Sequence, residues 1–116
     1  MFDFVCVGDA TRDLFLFLKE KPEFNGGKIP VKDIAWSLGG NGANVSVGLA
    51  RLGIRAALAT IFGDDDRGAW IKRELLKNNV NLEFSLTKNR QSNLSVVTVV
   101  NGERTILSYH GGELEE

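Results

Sequence analysis

The residues best suited to hold a ligand are Gly39-Gly40-Asn41-Gly42-Ala43-Asn44. Glycines at 39, 40 and 42 let a backbone turn through positive φ and let a bound molecule come close. A helix starting there would offer unsatisfied N–H groups to an oxygen-rich or anionic ligand. A tight turn that merely joins two elements is the other reading, and spacing alone leaves both open. Two phosphate motifs are excluded. The Walker pattern needs Lys and then Ser or Thr after its last glycine, whereas Gly42 is followed by Ala43-Asn44. The dinucleotide pattern needs glycine or alanine where Val45 stands. His110 is the only histidine and has no cysteine or histidine cluster around it, so no metal site is expected there.

The elements that must position this segment follow from apolar runs and turn signals. Phe4-Val5-Cys6-Val7 closed by Gly8-Asp9 reads as a buried strand, and Leu14 to Leu18 as a second. Pro22 and Asn25-Gly26-Gly27 mark a turn. Ile29 and Val31 alternate with polar neighbours, and Ile34 and Trp36 resume in the opposite phase, which predicts a bulge or bend near Asp33. After the glycines a helix is expected to Leu52, with Ala43, Val47 and Ala50 on one face, Leu49 and Leu52 beside them, and Gly53 as its stop. Ala56 to Phe62 is the next strand. Asp64-Asp65-Asp66 then offers an N-cap for a helix to about Lys77 with Ile71 and Leu75 inward. A strand near Leu82 to Leu86 follows. Asn101-Gly102, between Leu94–Val100 and Thr105–Tyr109, predicts a type I′ hairpin. The order is that of an α/β fold with a small inserted sheet.

Composition narrows the function classes. A chain of 116 residues is one domain in size, with 43% hydrophobic and 25% charged residues, the balance of a globular protein. The formal charge of −1 comes from interleaved acids and bases, so nucleic acid is not expected as a partner. The apolar runs are far too short to span a bilayer, so no membrane partner is expected. Cys6 is the only cysteine and cannot form an internal disulfide; a reduced, cytoplasmic setting fits. The acidic end, Glu113, Glu115 and Glu116, reads as solvated.

The run from Gly39 through Asn44 to Gly53 resembles the N-terminal signature of the ribokinase-type (PfkB-type) carbohydrate kinases. Val7-Gly8-Asp9 with Asp13, Gly63-Asp64-Asp65 with Gly68, and Asn101-Gly102-Glu103-Arg104-Thr105 match further family motifs in order. The resemblance covers nearly the whole chain. It implies a partial three-layer α/β/α sheet over residues 1–116, with a small β lid inserted at about 14–20 and 29–37.

The resemblance also implies roles. Asp13 matches the carboxylate that accepts hydrogen bonds from sugar hydroxyls, a task suited to an acceptor-only group. Gly39 and Gly40 match glycines whose backbone lies against the sugar, and Asn44 matches an asparagine that bonds its hydroxyls, although a helix cap is the competing use. Asn41 falls where some members carry lysine. Thr11 falls where ribokinases proper carry asparagine, a departure that leaves ribose unfixed as the substrate. Phe15, Phe17 and Trp36 are lid packing, dimer contacts or ordinary core. Val96 and Thr98 are further candidates for the pocket lining, while Trp70 and Tyr109 read as structural.

Family members are much longer, and their later part carries the Asn-x-x-Glu and Gly-Ala-Gly-Asp motifs that serve Mg²⁺, ATP and the catalytic base. Neither motif occurs here. The expectation is therefore a substrate-binding segment of an ATP-dependent sugar or nucleoside kinase, with ATP and Mg²⁺ belonging to the full-length parent. This chain alone is expected to bind neither, to hold no catalytic residue and to be inactive. A non-catalytic sugar-binding or lid-dimerising module, with two chains pairing through the lid, and a truncated gene product are the alternatives. The missing strands and helices should leave apolar surface open, so marginal stability or self-association is expected.

Overall fold

The computed structural model describes residues 2–111; the acidic end at 113–116 lies outside them. Two strands start the chain: β1, Phe4–Val7, and β2, Thr11–Phe17. After β3, Asp33–Gly39, come helix α1, Asn41–Arg51, and strands β4, Ala56–Ala59, and β5, Ile61–Gly63. Helix α2, Asp66–Lys77, is followed by β6, Leu86–Lys88, and the hairpin of β7, Leu94–Val100, with β8, Glu103–Tyr109.

The body is a parallel layer under two helices. β1 pairs with β4, and β5 with β6, all parallel. The core joins Ala43 of α1, Leu58 of β4, Phe62 of β5, and Ile71 and Leu75 of α2. Apolar residues three or four apart on a helix face one side, which is why Ile71 and Leu75 are buried. Cys6 packs against this core from one face of β1. On the other face Val5 is 51% and Val7 84% exposed, so one side of the expected three layers is open.

The strands expected to form the lid, β2 and β3, join the hairpin in a separate four-stranded sheet in the order β3-β2-β7-β8, called the lid sheet below. Its inserted strands sit three to four residues from the expected places. β2 begins at Thr11 and ends at Phe17, and β3 begins only at Asp33. Ile29 to Val31 belong to no strand, so there is no strand to bulge at Asp33. Pro30 has no N–H to give to a ladder, which accounts for the late start. The radius of gyration, 15.9 Å, exceeds the ~13 Å of a compact chain of this length. The lid stands away from the body.

Three other expectations shift. The single strand from Ala56 to Phe62 is divided at Thr60, whose N–H donates to Ser85 Oγ (3.1 Å). The strand expected at Leu82–Leu86 begins at Leu86, because Glu83 N–H turns onto Asn81 Oδ1 (2.8 Å) and Ser85 N–H onto the Leu82 carbonyl (2.9 Å). Leu52, expected beside the face of Ala43, Val47 and Ala50, is 78% exposed. It caps α1, and Ile54 N–H reaches back to the Leu49 carbonyl as the chain leaves through Gly53 at φ 82°. The Asn101-Gly102 turn forms as expected, with φ 49° and 81°.

Candidate functional site

The seam between lid and body gathers part of the expected set. Asp13 lies in the middle of β2, paired with Ser37 of β3 on one side and Ser95 of β7 on the other. The buried Thr11 hydroxyl donates to Asp13 Oδ1 at 2.5 Å and fixes the carboxylate. The second oxygen, Oδ2, sits where a side chain on Gly39 would begin: a Cβ there would lie 2.0 Å from it. A side chain at Gly39 would displace the carboxylate from this position. Thr11, Asp13 and Gly39 are thus one cluster.

Gly40 follows at φ 95° and ψ 146°, a backbone state that L side chains rarely adopt, and is the N-cap of α1. Its carbonyl starts the helix by accepting from Asn44 N–H (2.9 Å). Ala43 N–H is used by the Asp9 carbonyl (3.0 Å), which ties the helix start to the turn after β1. Among the described residues, the N–H groups of Asn41 and Gly42 have no acceptor. Asn41 is exposed, so its N–H is open to an oxygen-bearing ligand, whereas Gly42 is buried with its backbone against that of Gly8.

Asn41 and Asn44 are both exposed on the first turn of α1, and neither hydrogen-bonds Thr11 or Asp13. With Gly40 as the cap, Asn44 does not serve as one. Its side chain lines an open groove of about 450 Å³ with Trp36, Ser37, Leu38, Val47 and Trp70. Ser37 links the two parts, since it lines that groove and pairs with Asp13.

Three serines, Ser37, Ser95 and Ser108, escaped sequence reasoning. Ser37, Asp13, Ser95 and Ser108 lie opposite one another across all four lid strands. Paired residues share a sheet face, so they form one polar row. The signal was a serine in each of three strands, but only the register reveals the row. The same register puts Val96 and Thr98 opposite Leu14 and Leu16, on the face away from Asp13, so they do not join Asp13's lining. Phe15 and Phe17 stack on each other, centroids 6.4 Å apart, and neither they nor Trp36 is buried core.

A second polar knot holds the lid to the body. Asp65 caps α2 by accepting from Gly68 N–H (2.8 Å) and also takes both the N–H and the hydroxyl of Ser92 (2.8 and 2.6 Å). Burial pushes the Asp65 carboxyl up. The Ser92 and Gly68 hydrogen bonds and the nearby Arg67 charge outweigh it and hold the pKa below its ordinary value. Ser92 is the buried start of the segment leading to β7. Among the described residues, no three His, Cys, Asp or Glu side chains converge as a metal cage, and no helix is long and apolar enough to cross a membrane.

Comparison with known proteins agrees with this layout. The model of the "pfkB family carbohydrate kinase" matches residues 1–116. Fructokinase-2 of Zea mays is 40% identical over 73 residues, which are 61% of this chain and 22% of that protein. The bifunctional protein HldE of Campylobacter concisus is 34% identical over 94 residues, 78% of this chain and 20% of its own. A putative ribokinase from Agrobacterium tumefaciens superimposes with TM-score 0.84 at 26% identity, covering 93% of this chain and 36% of that one. The Arabidopsis thaliana ribokinase complexed with ribose and ATP gives 0.82 at 25%, covering 95% and 36%. The chain therefore spans about a fifth of these curated relatives and about a third of these solved structures. With its family model matched from end to end and its fold superimposing on that of solved ribokinases, the chain belongs to the pfkB family of carbohydrate kinases.

Proposed function

We propose that this chain supplies the sugar-binding part of an ATP-dependent kinase that phosphorylates a hydroxymethyl group of a sugar or nucleoside. The observation that carries the reading is the Asp13 carboxylate, oriented by the Thr11 hydroxyl and seated on the bare Cα of Gly39. Such a carboxylate accepts from two neighbouring hydroxyls of a polyol, while the Asn41 N–H and the Asn44 amide donate to its oxygens. Lid closure over the sugar would exclude water as a competing acceptor of the phosphoryl group. ATP with Mg²⁺ supplies that group in the full-length parent. Among the described residues no metal cage is present, and on this reading the nucleotide site and the base are supplied by the parent, of which this chain spans about a third. On this reading residues 1–116 are the N-terminal part of one kinase domain, in a cytoplasmic setting.

The test is to mix the chain with a separately produced C-terminal part of a pfkB family kinase and follow ATP-dependent phosphorylation of fructose, ribose and nucleosides. The expected result is transfer to one of them, lost in Asp13→Asn. A stable complex that phosphorylates none of them sinks the reading. A second reading, a lid-pairing module, draws on β8, where all seven residues are exposed, Ile106 (59%) and Leu107 (52%) among them.

A further inference from the structure

Arg12 immediately precedes Asp13, so its side chain leaves β2 on the opposite face of the sheet. There its guanidinium lies 3.9 Å from the ring centre of Trp36 and 4.8 Å from that of Trp70. Trp36 belongs to the lid: it pairs with Leu14 while Arg12 pairs with Leu38, which makes Arg12 and Trp36 diagonal neighbours on one face. Trp70 belongs to the body, on α2, and packs against the body core. The Arg12 Nε is buried and has no hydrogen-bond partner among the described residues. The cation is therefore held by two aromatic faces, one from each half of the molecule. Desolvation strengthens such contacts.

We propose that Arg12 is a positioning residue, a tie between Trp36 of the lid and Trp70 of the body that sets Asp13 against the start of α1. The need for such a tie follows from how the candidate site is divided. Thr11 and Asp13 travel with the lid sheet, whereas Asn41 and Asn44 travel with α1 in the body. A polyol that bonds to both halves requires a fixed angle between them, and a shift of about 1 Å in such an arrangement costs about a hundredfold in rate. Arg suits this task better than Lys, because its planar group stacks on rings on both sides, whereas an ammonium is a compact, strongly hydrated point charge. The positioning role rests on the sugar-binding reading above; the tie itself does not.

The experiment uses the 116-residue chain and its Arg12→Ala, Arg12→Lys, Trp70→Leu and Trp70→Phe variants, with two readouts. The first is hydrogen exchange and needs no sugar. Arg12→Ala and Trp70→Leu should each speed exchange of the Arg12 and Ala43 amides at the seam by about tenfold, with the Leu58 and Leu75 amides of the body unchanged. The double variant should do no more than either single one, because both remove the same tie. Trp70→Phe should restore most of the protection and Arg12→Lys only part of it. Unchanged seam exchange in Arg12→Ala, or additive effects in the double variant, would overturn the tie. The second readout is affinity for fructose and ribose followed by intrinsic tryptophan emission. The chain has two tryptophans, both in this stack. Arg12→Ala should lose about tenfold in affinity with Asp13 intact. Binding equal to that of the unaltered chain would overturn the positioning role. If the unaltered chain binds no sugar, the sugar-binding reading and the positioning role built on it both fall, and the exchange result still decides whether the tie exists.

Discussion

The body and the lid sheet bury their apolar residues differently. In the body, Leu58, Ile71 and Leu75 are fully enclosed between strands and helices. In the lid, Val97 of β7 is the only residue of β7 or β8 that is buried, and every residue of β8 is exposed. The body is held by packing, while the lid is held by its ladders and by a few ties at its base. The lesson is that the enclosed core lies in one half and Asp13 in the other, less buried one.

Core truncation should show the contrast most strongly. Leu75→Ala should cost about 3 kcal/mol in urea unfolding, enough to unfold a marginal chain, while Ile106→Ala on β8 should cost less than about 0.5 kcal/mol. Equal costs would erase the distinction. Asp65→Ala comes next at about 2 kcal/mol, since it removes the α2 cap and strands the buried Ser92. Faster proteolysis near Ser92 should accompany it. The same carboxylate sets an acid limit. Its folded pKa lies below the ordinary 3.8, so its contribution is complete above about that pH and disappears as pH falls through the folded value. The stability gap between the chain and Asp65→Asn should be constant from neutral pH to that point and close below it. Thr11→Val should have the smallest effect. It should lower sugar affinity by roughly 1 kcal/mol, read by calorimetry, with little change in melting, because it frees the Asp13 carboxylate without opening a cavity.

Much of this was legible in the sequence where a local signal had only one physical outcome. Asn101-Gly102 adopts positive φ at both residues, and Asp65 caps a helix whose Ile71 and Leu75 turn inward. The Gly39-Gly40 segment joins a strand to a helix as its glycines suggested. What was not legible depends on partners distant in the chain. Ser85 splits the strand at Thr60 through its side chain, and no pattern near Thr60 announces it. Ile29 to Val31 alternate like a strand, yet Pro30 cannot enter a ladder there. The serine row around Asp13 and the stack around Arg12 exist only once strand register is known. Asp13, Thr11 and Gly39 were found as neighbours. Asn41 and Asn44 proved to stand on the other side of the seam.

The central claim is that Asp13 and the start of α1 bind one sugar together. The measurement that addresses it most directly is an amide-shift titration of the chain with fructose and with ribose, repeated with Asp13→Asn. The account predicts saturable shifts at Thr11, Asp13 and Gly39 to Asn44 for at least one sugar, and their loss in Asp13→Asn. Shifts that avoid those residues, or that persist unchanged in Asp13→Asn, would contradict it.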